Sequence, residues 1–155
     1  MKAYADTNVF TAAHLQLENT AVALLLLEEL RTSHSPPLPV TALIRMEFTN
    51  ALQRLVFESR KGNQSLRITP EHALLAEDAF LEEIQIGVIS QESPLALDAL
   101  ASDFEMLAHR HTAKHGFRTY DILHVVSALA LGCDTFWSFD AKARKLAKLE
   151  GLATN

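Results

Sequence analysis

The sequence predicts an α/β fold, a three-layer α/β/α sandwich with a parallel sheet, and two observations carry this prediction. Short stretches that end in polar residues alternate with longer amphipathic stretches from one end of the chain to the other, as strands alternate with helices. The 155 residues are 48% hydrophobic and include only five glycines and five prolines. This length and composition suit one well-filled core, so we expect a single domain over residues 1–155.

The first two predicted elements are a strand and a helix. Residues 1–5 lead into the polar Asp6–Asn8, which indicates a strand that ends in a turn. Asn19–Thr20 is suited to cap a helix over residues 21–30. We expect the leucine-rich part of this helix, Leu24–Leu30, to be exposed and to offer a surface to a partner.

A very short strand and a long helix follow. Prolines within residues 35–39 end the preceding helix and leave room for a strand at Val40. Apolar side chains recur at helical spacing over residues 43–57, which predicts an amphipathic helix. We expect this helix to end at residues 61–63, where Gly62 lies.

Two further helices begin with a hydroxyl residue followed by proline. The pairs are Thr69–Pro70 and Ser93–Pro94, and each combines an N-cap with a residue that suits the first helical turn. A short strand is predicted between these helices, at residues 87–89. The second helix is expected to continue to Gly116, since glycine favours a helix C-terminus.

The last part of the chain predicts a buried helix, a strand and a basic helix. Residues 122–131 are apolar except for one histidine and one serine, which indicates burial on most sides. Thr135–Phe139 predicts a strand that runs into Asp140. An amphipathic helix over residues 142–148 then presents lysines and an arginine outward.

The composition excludes several classes of protein. The chain has 19 acidic and 14 basic residues, so its net charge of −5 excludes an overall basic, nucleic-acid-coating surface. Its one cysteine, Cys133, excludes a disulfide framework and a cysteine-built zinc site. The longest apolar run, Ala21–Leu27, is far shorter than the ~18 residues of a membrane helix, and no signal-peptide core precedes it. We therefore expect a soluble, cytoplasmic protein without a membrane segment.

Three acidic residues occupy unusual positions. Asp6 and Asp140 each follow a predicted strand, and ligands bind beyond the carboxyl ends of parallel strands, although either residue could also be a helix N-cap. Glu47 lies along the apolar stripe of its helix, where an uncompensated carboxylate is costly. Its compensation is either an arginine, such as Arg45 or Arg118, or a bound cation.

A fourth acid begins the most apolar helix. Asp121 stands at its N-terminal end, and His124 follows one turn later on the same face. Considered alone, Asp121 is expected to be an N-cap, and His124 is expected to be a core histidine with satisfied hydrogen bonds rather than a metal ligand.

Taken together, the four acids predict a metal site at one edge of the sheet. Crowded carboxylates repel one another unless a cation holds them ionised, and oxygen ligands favour Mg²⁺ or Mn²⁺. One or two such ions can activate water and neutralise charge on phosphorus. We expect Asp6 and Asp121 to bind the ion directly, and Asp140 and Glu47 to bind it directly or through water. Asn8 and Ser138 are expected to hydrogen-bond to these ligands.

Four ordered blocks of residues, which span almost the whole chain, carry a family resemblance. They are Tyr4–Asn8, Arg45–Asn50, Arg118–His124 with Ser127–Leu129, and Phe136–Asp140 with Leu146–Ala147 and Gly151–Leu152. With these blocks the chain resembles PIN-domain ribonucleases, and their order and spacing resemble the VapC-type toxins of type II toxin–antitoxin pairs. It departs from the family pattern at Lys61–Arg67 and His109–His115, which bears on substrate contacts and on the partner surface.

The resemblance implies a function and a role for each site residue. It implies an endoribonuclease that uses Mg²⁺ or Mn²⁺ to cut single-stranded or looped RNA, leaving a 5′-phosphate and a 3′-hydroxyl. It also implies a homodimer and a cognate antitoxin that occupies the groove at the site. The metal-binding and catalytic acids would be Asp6, Glu47, Asp121 and Asp140, and the small polar residues around them Thr7, Asn8 and Ser138.

An acidic site needs positive surface nearby to attract RNA. We define two basic rims as candidates, each of which could equally be an ordinary solvated helix face. The first rim consists of Arg54, Arg60, Lys61 and Arg67, and the second of Lys142, Arg144, Lys145 and Lys148. His111 and His115 are four residues apart, which fits either a transition-metal pair or a solvated helix end.

Two other functions fit parts of the pattern. A phosphotransfer domain also places acids at strand ends around Mg²⁺, but it expects a second acid beside the first, whereas Asp6 is followed by Thr7, Asn8 and Val9. A non-cleaving module that binds RNA or protein fits the fold as well. All four acids are nevertheless present, and such a module would not need them.

Overall fold

Parallel strands flanked by helices form the observed architecture, which the computed structural model describes for residues 1–62 and 67–155. The predicted α/β class with a parallel sheet is confirmed. Residues 63–66, which include part of the predicted end of the long helix and of the Lys61–Arg67 connection, lie outside the described residues.

The strands are short and pair in parallel. They are β1 (Ala3–Ala5), β2 (Leu38–Val40), β3 (Ser90–Glu92), β4 (Thr135–Trp137) and β5 (Ala153–Thr154). One ladder has the order β1-β4-β5 and the other consists of β2 and β3. β2 lies beside β1, so the two ladders are neighbours. In the first ladder Ala5 is opposite Trp137, a register that later positions the site.

Helices make up most of the rest of the described chain. They are α1 (Thr7–His14), α2 (Thr20–Thr32), α3 (Ala42–Arg60), α4 (Pro70–Ile86), α5 (Ala101–Leu107), α6 (Ala113–His115), α7 (Thr119–Ala130) and α8 (Ala141–Leu149). The predicted start at Thr69–Pro70 is confirmed, because the Thr69 hydroxyl accepts a hydrogen bond from the His72 backbone amide at 3.3 Å. In the described residues no helix is both long enough and apolar enough to cross a bilayer.

Two elements were not predicted. Helix α1 lies where the sequence indicates a turn. The sequence does not reveal this helix because its middle residues, Val9–Ala12, are all buried and show no alternation of polar and apolar faces. Strand β5 is only two residues long, too short for any pattern to indicate it. It is defined by its pairing with β4, in which Thr135 is opposite Ala153.

The second ladder corrects two predicted boundaries. β3 begins at Ser90 rather than within residues 87–89. β2 begins at Leu38 and includes Pro39, whereas the strand was expected at Val40, after the helix-ending prolines. Pro39 is tolerated because, in a parallel pair, only alternate residues bond to a given neighbour. The bonds here come from the residues beside it: the Leu38 amide donates to Ile89 and Val40 accepts from Ser93.

The long helix predicted to begin at Ser93–Pro94 and to end at Gly116 begins only at Asp98 and is divided, so its predicted start is wrong. A 3₁₀ turn at Asp98–Leu100 precedes α5, and a π-helical segment at Ala108–Thr112 joins α5 to α6. Its predicted end is confirmed: Gly116 adopts the left-handed conformation with φ of 66°, which glycine adopts without a steric penalty.

The core lies between the sheet and the inner helix faces. Phe10, Phe48 and Phe80 bring α1, α3 and α4 together, with ring centroids 4.3–5.1 Å apart for the contacting pairs. The leucine-rich face of α2 is only partly exposed. Leu25 is 69% exposed, but Leu30 is buried against the core, so the expectation of an exposed surface is wrong for that end of the helix.

Candidate active site

The register of β1 and β4 brings the first site residues together. Because Ala5 lies opposite Trp137, the next residues along the two strands, Asp6 and Ser138, emerge side by side at the carboxyl edge of the ladder. The Asp6 amide extends the ladder by donating to the Trp137 carbonyl at 2.9 Å. The Ser138 hydroxyl then donates to Asp6 Oδ2 at 2.7 Å.

Asp6 is buried and does not serve as a helix cap, although it occupies the N-cap position of α1. Its Oδ2 accepts hydrogen bonds from Ser138 and, at 2.9 Å, from Asn8. Burial raises the pKa of Asp6 above its ordinary value, despite the opposing effects of His124 and the Ser138 hydroxyl. The Asp6 carboxylate is therefore oriented by Ser138 and Asn8 and does not cap the helix. Keeping its charge buried costs free energy unless a cation compensates it.

Asn8 and Ser138 form a small polar network around Asp6. The side-chain Nδ2 of Asn8 also donates to the Ser138 hydroxyl oxygen, and the side-chain Oδ1 of Asn8 accepts from the Phe139 backbone amide at 2.9 Å. Asn155 holds the Ser138 backbone in turn, since its side-chain oxygen accepts from the Ser138 amide at 2.9 Å. Asn155 was not predicted, and no sequence pattern indicates it.

Glu47 projects from α3 toward Asp6. Its Oε2 accepts a hydrogen bond from the Thr7 hydroxyl at 2.8 Å and forms a short hydrogen bond with His124 Nε2. Burial alone would raise the pKa of Glu47, but the hydrogen bond and charge of His124 hold it below its ordinary value. Neither arginine considered as its partner has that role: Arg45 pairs with Glu92, and Arg118 with two other acids.

His124 is buried, and both ring nitrogens have partners, as expected for a core histidine. Its partners, however, belong to the site: Nε2 contacts Glu47 and lies 3.6 Å from Asp6 Oδ1, while Nδ1 bonds to the Tyr4 hydroxyl at 2.9 Å. Burial alone would lower the pKa of His124, but Glu47 and Asp6 outweigh it and raise that pKa. Sequence reasoning left His124 out of the site, although its position one turn after Asp121 was the available signal.

Asp121 and Asp140 lie on the outer side of the same site. Asp140 caps α8, with Oδ1 accepting from the Lys142 amide at 2.7 Å, and Asp121 accepts from the Arg118 amide at 2.9 Å. The exposed Arg118 guanidinium bridges them, at 3.3 Å from Asp140 and 4.0 Å from Asp121. Asp140 thus has the N-cap role considered for it, whereas that expectation is wrong for Asp121, because Arg118 is the N-cap of α7 and Asp121 lies three residues later. Arg118, which was considered only as a partner of Glu47, pairs with these two aspartates instead.

All four acids line one cavity of about 490 Å³. Its other lining residues include Asn8, Asn50, Arg54, Arg118 and His124. A second groove of about 550 Å³ shares Asp6, Asn8 and Glu47 with this cavity and continues between α1 and α3 past Leu17 and Leu55. The site therefore opens into two connected depressions.

The predicted basic rims reach the cavity only in part. Arg54 lines it, whereas Arg60 and Lys61 lie at the exposed C-terminal end of α3. Lys142 donates to the Gly116 carbonyl at 3.2 Å, and Arg144 donates to the Ser138 carbonyl. Arg144 therefore holds the backbone of the site residue Ser138.

The donor set fits a divalent cation. Asp6, Glu47 and His124 each offer one ligand atom, and these three atoms lie within 4.8 Å of one another. In residues 1–62 and 67–155, no other group of three or more His, Cys, Asp or Glu side chains has this geometry. His111 hydrogen-bonds to Glu150, and in the described residues the His111/His115 pair belongs to no group of three or more potential metal ligands.

Comparison with known proteins gives a family match over nearly the whole chain. The model of the PIN domain matches residues 3–149. No curated protein matches the chain.

Two solved structures have a similar fold over nearly the whole chain. VapC20 of Mycobacterium tuberculosis, described as a toxin that cleaves the sarcin–ricin loop, is 14% identical with a TM-score of 0.61, covering 92% of this chain and 93% of its own. VapBC2 from Rickettsia felis, bound to a DNA fragment from its promoter, is 14% identical with a TM-score of 0.62, covering 100% and 98%.

Proposed function

Because the chain belongs to the PIN-domain family, we propose that it is an endoribonuclease that hydrolyses RNA phosphodiester bonds with one or two Mg²⁺ or Mn²⁺ ions. The observation that carries this proposal is the pair of carboxylates, Asp6 and Glu47, that converge at the strand edge beside one buried histidine. Asp121 and Asp140 line the same cavity, so four acids surround the space that RNA would enter.

Asp6 and Glu47 would hold the cation, with Asp121 and Asp140 contributing directly or through water. When bound, the cation supplies Lewis-acid activation of water and neutralises charge that develops on the phosphoryl group. Thr7, Asn8 and Ser138 keep the carboxylates in place through the hydrogen bonds described above, so that little reorganisation is needed when substrate arrives.

The positive residues beside the acids would bind the RNA backbone. Arg54 lines both depressions, and the Arg118 guanidinium is 68% exposed at the cavity. An exposed guanidinium can bind a phosphate in a bidentate manner. Arg118 now pairs with Asp121 and Asp140, and it would exchange these partners for a phosphate when RNA and the cation bind.

We further propose that the protein is the toxin of a type II pair, acts in the cytoplasm, forms a homodimer and binds a cognate antitoxin. The fold shared with VapC20 and VapBC2 supports this assignment, and the described action of VapC20 supports a looped RNA as substrate. The groove past Leu17 and Leu55 offers an antitoxin segment access to Asp6 and Glu47. The exposed Leu24 and Leu25 of α2 offer an apolar surface for the second subunit.

The test is cleavage of end-labelled single-stranded RNA in Mn²⁺ by wild type, Asp6→Asn and Asp121→Asn. Each variant should lose activity by at least about a hundredfold and keep its fold, since the amide no longer supports the cation. Asp103→Asn is the matched control, because Asp103 is exposed on α5, and it should cleave normally.

Two results would contradict the proposal. Wild-type rates in both Asp6→Asn and Asp121→Asn, or activity that persists in excess chelator, would exclude the metal site. Binding of RNA without cleavage when Mn²⁺ is supplied would instead favour a non-cleaving module.

A further inference from the structure

We propose that His124 is a ligand of the cation site, binding through Nε2, and that it makes the site prefer Mn²⁺ and Co²⁺ over Mg²⁺. This inference rests on the proposed function, because it concerns the same site, and it specifies the cofactor. An all-carboxylate site suits Mg²⁺, whereas an imidazole nitrogen adds affinity for transition-metal ions.

The positions of the donor atoms support a shared ion. His124 Nε2 contacts Glu47 Oε2 and lies 3.6 Å from Asp6 Oδ1. Neighbouring ligands of a six-coordinate ion with bonds of about 2.1 Å are separated by about 3 Å. The three atoms, all within 4.8 Å of one another, therefore need only small movements to enclose an ion.

The surroundings of His124 fix the ring with Nε2 toward the carboxylates. Nδ1 bonds to the hydroxyl of Tyr4 at 2.9 Å, and Tyr4 is itself fully buried and stacked on Phe136, with ring centroids 5.8 Å apart. A metal-binding histidine characteristically uses its second nitrogen in such a hydrogen bond, which sets the tautomer and the ring orientation. His124 is 3% exposed, so its ring has little freedom to turn away.

The alternative role for His124 is that of a counter-ion. A positively charged imidazole would then occupy the space of the cation and would have to be displaced when the cation binds. The two roles predict opposite effects of removing the ring: loss of a ligand weakens binding of Mn²⁺, whereas loss of a competing charge strengthens it.

The experiment measures metal binding by the full chain without RNA. Calorimetric titrations with Mn²⁺, Co²⁺ and Mg²⁺ compare wild type with His124→Gln, and pulsed EPR of the Mn²⁺-loaded protein detects coupling to a directly bound nitrogen. We expect wild type to show nitrogen coupling and to prefer Mn²⁺ over Mg²⁺ by at least about tenfold. In His124→Gln the coupling should vanish, and Mn²⁺ affinity should fall at least about tenfold, well beyond the change for Mg²⁺.

Two further variants support the comparison. His109→Gln changes an exposed histidine outside the site and should leave both the coupling and the affinities unchanged. Tyr4→Phe keeps the His124 ring but removes its hydrogen-bond partner; it should retain the nitrogen coupling while Mn²⁺ affinity falls by a smaller factor, and it tests the proposal even if His124→Gln does not fold.

The inference is overturned if wild type shows no nitrogen coupling, or if His124→Gln binds Mn²⁺ as tightly as wild type or more tightly. Its failure is separable from failure of the proposed function. RNA cleavage that depends on Asp6, without nitrogen coupling, would refute only the role of His124. Nitrogen coupling in a protein that cleaves no RNA would refute only the ribonuclease.

Discussion

At the scale of single residues, Ser138 shows how one small hydroxyl organises an acidic site. Its Oγ donates to Asp6 and accepts from the Asp140 amide at 3.0 Å, so one atom connects the ends of β1 and β4. Its backbone is fixed on both sides, by Asn155 at the amide and by Arg144 at the carbonyl. Because Ser138 is fully buried, its hydrogen bond holds the Asp6 carboxylate in one orientation.

We predict that Ser138→Ala destabilises the protein by about 1–2 kcal/mol, because Asp6 Oδ2 loses a donor and the Asp140 amide loses its acceptor in a buried setting. Urea unfolding followed by circular dichroism measures this difference. Ser93→Ala is the control, since Ser93 lies in a less buried loop, and it should change the unfolding free energy by less than about 0.5 kcal/mol. Equal effects of the two changes would argue against the network.

How far single residues could be predicted depended on the local pattern. Asp6 was identifiable because it follows a strand, and Glu47 because a carboxylate interrupts an apolar stripe. His124 was not, because one polar residue in an apolar helix looks the same whether its partners are backbone groups or distant acids. Its contacts with Tyr4 and Glu47 span 120 and 77 residues, and only the fold determines them.

At the scale of elements, Glu83 connects α1, α4 and β3. Its carboxylate lies 3.4 Å from His14 Nε2 and accepts a short hydrogen bond from the Ser90 hydroxyl. Burial alone would raise the pKa of Glu83, but these two partners hold that pKa below its ordinary value. Since β3 lies beside β2, this contact also anchors the edge of the second ladder.

We predict that Glu83→Gln lowers the unfolding free energy by about 1–2 kcal/mol at neutral pH. A carboxyl whose pKa is depressed in the folded state stabilises the protein above its unfolded pKa, about 4.3, and this contribution is lost as the pH falls through the folded value. The difference between wild type and variant should therefore disappear in acid. Urea titrations at several pH values test this, with the exposed Glu82→Gln as control; a difference that grows in acid would contradict it.

Elements were predictable where burial was one-sided. Helices α3 and α4 each have one buried face, so their periods are visible in the sequence, and the Thr69–Pro70 cap also marks the start of α4. Helix α1 is buried almost all round and has no visible period, and β5 exists only through its pairing with β4. The division of the helix before Gly116 into 3₁₀, α and π segments likewise has no signal in residue spacing.

At the scale of the whole molecule, a net charge of −5 has to be reconciled with the proposed RNA substrate. Four acids line the cavity, and Arg54 and Arg118 lie among them. RNA attraction is therefore expected to be local, through a few phosphate contacts, and not a property of the overall surface.

We predict that Arg54→Ala weakens RNA binding and reduces the salt dependence of binding by about 0.7 in the slope of log K against log[salt], the value for one single-strand phosphate contact. Binding of labelled RNA to catalytically inactive Asp6→Asn protein, with and without the added change, measures this slope. Arg31→Ala is the control, because Arg31 pairs with Glu28 on exposed α2. An unchanged slope in Arg54→Ala would remove Arg54 from the RNA surface.

The pairing of Asp6 with Ser138 also has a consequence for biosynthesis. Translation adds Asp6 to the chain 132 positions before the hydroxyl that orients it. A nascent polypeptide, or a fragment released by a premature stop codon before position 138, therefore carries Asp6 and Glu47 without the partner strand that aligns them. The proposed cleavage of RNA would therefore begin only after the ribosome has passed position 138.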